Sequence, residues 1–176
     1  KANFNGKDAF NVYTCGINSN KIISQSFLNI TTQYIIEDCP MPDILILPGG
    51  NNLALVNNEK LIAWISKVNE KAEFVLSVCN GLNLLAKTGN LDGMTATSHY
   101  GAIENLIKTY PKINIVTGKR FVDNGRIITT EGVSAGIDGS LYLLYKMFNM
   151  EVANDVAKIM MYSWKPETLD YLVTQK

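Results

Sequence analysis

The segment that most restricts how this chain can fold is Ser77-Val78-Cys79-Asn80-Gly81. A largely apolar run, Glu73-Phe74-Val75-Leu76, comes before it, and Leu82-Asn83-Leu84-Leu85-Ala86-Lys87, with a helical look, comes after. A strand that turns sharply into a helix leaves no room for bulky neighbours. Here small residues stand two positions either side of Cys79, the pattern of a nucleophile elbow. Such a turn lifts one side chain out of the sheet and onto the N-terminus of the next helix. The helix dipole there favours thiolate over thiol. The competing role for Cys79 is that of a buried small hydrophobe, which is what most free cysteines are.

A second punctuated strand stands upstream. Ile44-Leu45-Ile46-Leu47 is continuously apolar and ends at Pro48-Gly49-Gly50, which predicts a parallel strand buried on both faces. Between the two strands, Leu61, Ile62, Trp64, Ile65 and Val68 form the apolar stripe of a helix from about residue 58 to 70. Residues 9–15 alternate apolar and polar as a half-buried strand does, and 22–36 read as short strands or a hairpin. Downstream, Thr95-Ala96-Thr97 and Ile113-Asn114-Ile115-Val116 predict strands, with a helix between them stopped by Pro111. Asp123-Asn124-Gly125 marks a hairpin turn between Phe121-Val122 and Arg126-Ile127-Ile128-Thr129. Helices follow from Ser134 and from about Glu151 to Tyr162. Strands alternating with helices indicate an α/β domain with a mainly parallel sheet. Ligands of such sheets sit beyond the carboxyl ends of the strands, so Gly49-Gly50 and Cys79 should line one crevice.

Size and charge narrow the function. A chain of 176 residues, 47% of them hydrophobic, suits one domain, residues 1–176, with a substantial core. The formal net charge is zero, which argues against a nucleic-acid surface and an electrostatic membrane anchor. No apolar run approaches the roughly 20 residues that span a bilayer. The cysteines, Cys15, Cys39 and Cys79, are odd in number and irregularly spaced. That indicates a reducing, cytoplasmic setting rather than a disulfide framework, and with a single histidine there is no zinc-site spacing. The chain opens at Lys1 without the basic start and apolar core of a secretory signal.

Cys79 is the candidate nucleophile. His99, the single histidine, follows a short predicted strand; lone histidines are more often structural, but this one falls at the active edge of the sheet. If its ring reaches the thiol it can hold a thiolate or move protons. Gly49 and Gly50 are either plain turn glycines or backbone donors to an oxyanion, with the backbone N–H of Asn80 as the second donor. The Asn80 side chain orients a substrate or water, or caps the helix. Glu131 reads as a solvated loop charge near the same edge. Asp138, read as lying in the first turn of the next helix, suits the helix dipole and a structural role, and Ser134 and Ser98 read as helix caps.

Taken in order, Pro48-Gly49-Gly50, Ser77 to Gly81, Leu91-Asp92-Gly93, Thr97-Ser98-His99 and Gly132-Val133-Ser134-Ala135-Gly136-Ile137-Asp138 resemble the ThiJ/PfpI superfamily, the class I glutamine amidotransferase-like fold. The resemblance covers about residues 9 to 160. Its last two segments point to the branch of isonitrile hydratases and the sensor domains of AraC-type transcription regulators, in which a histidine follows the elbow cysteine by 20 positions, as His99 follows Cys79. The resemblance implies a flavodoxin-like sandwich, a homodimer, a strained elbow cysteine, and no metal or organic cofactor. It implies an oxyanion hole from the glycine-loop amides and that of Asn80, and a partner acid just after the family's first strand. That strand and its helix are missing here, since Lys1-Ala2-Asn3 reads like the end of the family's first helix. A sheet without a central strand leaves backbone groups unpaired, so the segment is expected in the folded protein, as a separate piece or a further stretch of chain, or another chain or element fills the slot. Isonitrile hydratases carry threonine after the nucleophile, where this chain has Asn80.

Three functions follow. The first is an enzyme whose Cys79 attacks a small electrophile: an isonitrile or nitrile-like carbon, an amide or a reactive aldehyde. The second is a redox or stress protein with an oxidisable Cys79. The third is the ligand-sensing half of an AraC-type regulator. That one requires a helix-turn-helix domain after this one, and only Thr168 to Lys176 follow the last predicted helix.

Overall fold

The computed structural model describes residues 3–4, 7–24 and 27–174. The chain forms two compact units, Lys1–Pro40 and Met41–Lys176.

The first unit is built from short strand pairs. Strands β1 (Asn3–Phe4) and β2 (Lys7–Asp8) pair antiparallel. β3 (Cys15–Gly16) runs parallel to β6 (Tyr34–Ile35), with Cys15 opposite Tyr34. Between them β4 (Lys21–Ile23) and β5 (Asn29–Thr31) make an antiparallel hairpin. The alternation over residues 9–15 predicts a longer strand than the two residues that pair. Of that stretch, Val12 is exposed and Phe10 half-buried.

The second unit carries the main sheet. In chain order it contains β7 (Ile44–Leu47), α1 (Glu59–Lys71), β8 (Phe74–Val78) and α2 (Leu82–Lys87). Then come β9 (Thr95–Ala96), α3 (Ile103–Thr109), β10 (Asn114–Ile115), β11 (Phe121–Asp123) and β12 (Ile127–Thr130). α4 (Val133–Met147), α5 (Met150–Ile159) and β13 (Leu172–Val173) complete it. The sheet order is β13-β11-β12-β8-β7. Every pairing in it is parallel except the β11–β12 hairpin. β9 and β10 form a separate parallel pair.

Local chemistry explains the boundaries. Asn58 caps α1, its side chain accepting from the Leu61 N–H at 3.0 Å. Asn149 caps α5 in the same way through the Val152 N–H. Gly89, at φ +79, ends the turn after α2 in the left-handed region. α4 lies close against one face of the sheet: a β-carbon on Gly136 would fall 2.8 Å from Val78, and one on Gly139 2.5 Å from Thr130. Leu76, Phe121, Ile128, Leu141, Ala153 and Trp164 form the core under α4 and α5. The other face carries Ser77 and, opposite it in register, Thr129. The Thr129 hydroxyl oxygen accepts from the Thr97 N–H, which ties in the segment after β9.

One expectation is corrected. β7 is the end strand of the sheet rather than an internal one, and Ile46 is 55% exposed. Leu45 and Leu47 are buried on the opposite face. Four aliphatic residues in a row signal burial on both faces only where strands or helices cover both, and among the described residues no strand pairs with the outer edge of β7. Among the described residues, no helix is long and apolar enough to cross a membrane.

Candidate active site

β8 ends at Val78, and the chain turns through Cys79–Gly81 as a single 3-10 turn directly into α2. Cys79 sits at φ +56. Only glycine reaches that region without steric cost, and for other residues it stores on the order of 1–3 kcal/mol held by the surroundings. Two glycines make the turn possible. A β-carbon at Gly81 would lie 2.3 Å from the Leu47 carbonyl oxygen, so the start of α2 sits directly against the end of β7. A β-carbon at Gly49 would lie 2.7 Å from Cys79 Cβ and 3.3 Å from Sγ. The glycine loop after β7 therefore runs against the thiol itself. Cys79 is half-buried and is a free thiol.

Side-chain amides lock the loop to the elbow. Asn80 Nδ2 donates to the Gly50 carbonyl at 3.3 Å, and Asn52 Nδ2 donates to the Asn80 carbonyl at 2.6 Å. Asn83 Nδ2, from α2, donates to Asn52 Oδ1 at 3.3 Å. Asn80 thus bridges loop and elbow and is not the helix cap; its Oδ1 is buried with no partner. Gly50, at φ +117, needs glycine's freedom to make this turn.

The segment after β9 closes the site from another side. Ser98 donates from its hydroxyl to the Cys79 carbonyl at 2.8 Å. This corrects its reading as a helix cap, since the residue capping the following turn is His99, whose Nδ1 accepts from the Gly101 N–H at 3.2 Å. With Nδ1 so engaged, the neutral ring carries its proton on Nε2. His99 is half-buried, packs against Tyr100 with ring centroids 4.3 Å apart, and lies beside the β12–α4 connection: a β-carbon on Gly132 would be 4.0 Å from its Cδ2.

Gly49, Gly50, Cys79 and Asn80 are thus brought into one cluster, with Ser98 bound to its backbone and His99 next along the chain. Of the remaining candidates, Glu131 lies in the β12–α4 connection beside His99, and Ser134 and Asp138 are bound to Arg120. Glu131 is half-buried, with its N–H donating to the Arg120 carbonyl at 3.0 Å. Ser134 does not cap α4. The cap position is Gly132, without a side-chain bond, and Ser134 Oγ accepts from Arg120 at 3.2 Å. Asp138 lies in the second turn of α4 rather than the first and is 1% exposed. Its carboxylate accepts from Arg120 Nε at 2.8 Å and from the Tyr162 hydroxyl at 3.0 Å. A buried carboxylate paired in this way fixes α4 to β11 and the segment after α5, which is a structural role.

Asn52 and Ser98 are the site residues that sequence reasoning missed or misassigned. Asn52 is the second residue after the glycine pair, and a polar residue in that place is the signal that marked it. Among the described residues, no group of three His, Cys, Asp or Glu side chains is placed to hold a metal.

Comparison with known proteins bears on the family and the fold. The family model of the DJ-1/PfpI family matches residues 2–145. The chain is 31% identical over 146 residues to isonitrile hydratase of Pseudomonas putida, covering 82% of this chain and 63% of that one. It is 24% identical to the HTH-type transcriptional regulator CdhR of Pseudomonas aeruginosa, over 86% of this chain and 45% of the regulator. A crystal structure of a ThiJ/PfpI family protein from Pseudomonas syringae superposes with TM-score 0.79 at 26% identity, covering 89% of this chain and 64% of that chain. The chain thus spans less than two thirds of the length of each.

Proposed function

The chain belongs to the DJ-1/PfpI family, and from that premise we propose that it is a cysteine-dependent enzyme acting on a small electrophilic carbon, as in an isonitrile, nitrile-like group, amide or reactive aldehyde. One observation carries this reading: Cys79 is held at φ +56 with the glycine-loop backbone packed against its sulfur. A structural cysteine has no need of either. In this mechanism the thiolate adds to the electrophilic carbon and forms a carbon–sulfur bond. The negative charge that develops on the substrate heteroatom accepts from the N–H groups of the glycine loop and of Asn80. His99, through its Nε2–H, donates the proton that the substrate takes up, then as a base removes one from the attacking water. On an isonitrile or nitrile-like carbon, water then adds to the same carbon, the carbon–sulfur bond breaks, and the product leaves with the thiolate restored. With an amide, the amine takes the His99 proton and leaves as the carbon–nitrogen bond breaks, and water then cleaves the thioester. With an aldehyde the thiol adduct alone is expected.

The test is the rate of alkylation of each cysteine against pH, read by peptide mass spectrometry, in the wild type and in His99→Ala. An ordinary thiol titrates near about 8.5. Rapid reaction of Cys79 alone well below that pH supports the reading, and turnover of isonitriles or amides, or an aldehyde adduct, that is lost in Cys79→Ser completes it. A Cys79 that reacts no faster than Cys15 and Cys39 overturns it. The likeness to a transcriptional regulator over most of this chain supports a second reading, a ligand-sensing domain that binds the same small molecules without turning them over.

A further inference from the structure

Two of the three cysteines lie together in the first unit. β3 places Cys15 opposite Tyr34 on β6. The chain then turns back on itself: the Asp38 and Cys39 N–H groups both donate to the Ile35 carbonyl, at 3.2 and 2.9 Å, and the Ile35 N–H donates to Asp38 Oδ1 at 2.9 Å. This turn returns Cys39 to the β3–β6 pair, where its thiol interacts with that of Cys15. The Cys15 thiol also contacts the Gly16 carbonyl at 3.6 Å. Both residues are free thiols and only half-buried, within reach of a small oxidant.

We propose that Cys15 and Cys39 form a site of reversible oxidation, closing a disulfide within the first unit in response to a peroxide. The site is separate from Cys79 and does not rest on the function proposed for it. Burial, the hydrogen bond with Cys39 and the charges of Cys39 and Asp38 push the Cys15 thiol up to about 12, so Cys15 stays protonated and oxidation begins at Cys39. The Cys39 sulfur attacks one peroxide oxygen, the oxygen–oxygen bond breaks, and Cys39 becomes a sulfenic acid while its thiol proton leaves with the other oxygen as water. The Cys15 sulfur then attacks the Cys39 sulfur. The sulfur–oxygen bond breaks, and the Cys15 proton leaves with that oxygen as water. Two thiols are oxidised and one peroxide is reduced; a dithiol returns the pair to the starting state.

The experiment uses the full chain, as wild type and as Cys79→Ser. Each is treated with hydrogen peroxide, its remaining thiols are alkylated, and its peptides are read by mass spectrometry. Expected in both is a cross-linked peptide pair joining Cys15 to Cys39, lighter by two hydrogen atoms than the reduced pair, with loss of alkylation at both residues. Dithiothreitol should reverse it. In Cys15→Ser, Cys39 should run on to sulfinic acid, and in Cys39→Ser, Cys15 should stay alkylatable. If both thiols of the wild type remain alkylatable, if Cys39 over-oxidises while Cys15 stays free, or if the cross-link joins Cys79 or a second copy, the proposal is overturned.

Discussion

The two ends of the strands β8 and β12 obey opposite rules. At the hairpin end, the side chains of the turn itself are paired, although the Asn69 side-chain oxygen behind Arg126 is buried without a partner. Buried Asp123 accepts from the Tyr142 hydroxyl at 2.9 Å, from Lys146 Nζ at 2.8 Å and from the Gly125 N–H at 2.8 Å. Asn124 Nδ2 donates to the Thr95 carbonyl, and Asn124 Oδ1 accepts from the Thr174 hydroxyl, each at 2.8 Å. At the elbow end, the oxygens of Ser77, Thr97, Thr130 and the Asn80 side chain are buried without partners, and Cys79 holds a left-handed backbone. A desolvated hydroxyl without a partner costs about 1–3 kcal/mol. One end of the sheet therefore anchors the fold, and the other carries strain and unmet polarity beside the thiol, the distribution expected when only one end is shaped for chemistry.

The contrast can be broken at four places. Asp123→Ala should cost the most, about 3–5 kcal/mol, because it strands the Lys146 ammonium in a mostly buried setting. Urea denaturation measures the loss, and Cys79 alkylation at low denaturant should be unchanged if the two ends are independent. Gly49→Ala should cost about 1–3 kcal/mol by forcing a β-carbon onto Cys79. It should also slow Cys79 alkylation, which Asp123→Ala does not. Thr130→Val should work the other way. It removes a buried hydroxyl with no partner at nearly constant shape and should raise the free energy of unfolding, read from urea denaturation, by about 1 kcal/mol. The smallest effect concerns pH. Burial first, then the bond to Asp123, holds the Tyr142 phenol above its usual range. Unfolded tyrosine ionises near about 10 while the folded one keeps its proton. This contribution is therefore complete below that pH and drains away above it. Stability measured from pH 9 upward should fall less steeply in Tyr142→Phe.

Much of the elbow end was legible from residue order alone, and little of the hairpin end was. Small residues around Cys79 and the glycine pair after an apolar strand state a local geometry, because the backbone turn itself demands them. Asp123-Asn124-Gly125 also states a local geometry, a tight turn, and the turn is there. Its second role is not local. Tyr142 and Lys146 reach Asp123 from α4, 19 and 23 residues away, and nothing in a turn signal names such partners. Ser98 was misread for the same reason. Before a helical stretch a serine looks like a cap, and only the folded chain sets its hydroxyl on the Cys79 carbonyl. Asp138 has the partners Arg120 and Tyr162, which residue order does not name. Hydrophobic period reports which face is buried and leaves open what lies on it, so β7 was read as covered on both faces.

That strand has a consequence for what can join the sheet. Native sheets commonly close their borders with lysine, proline or a bulge, which discourage further strands from joining. Ile44-Leu45-Ile46-Leu47 has none of these. Among the described residues its outward row of amide and carbonyl groups meets no strand, so an extended segment with the same spacing, such as the family's first strand, would find its register already laid out there.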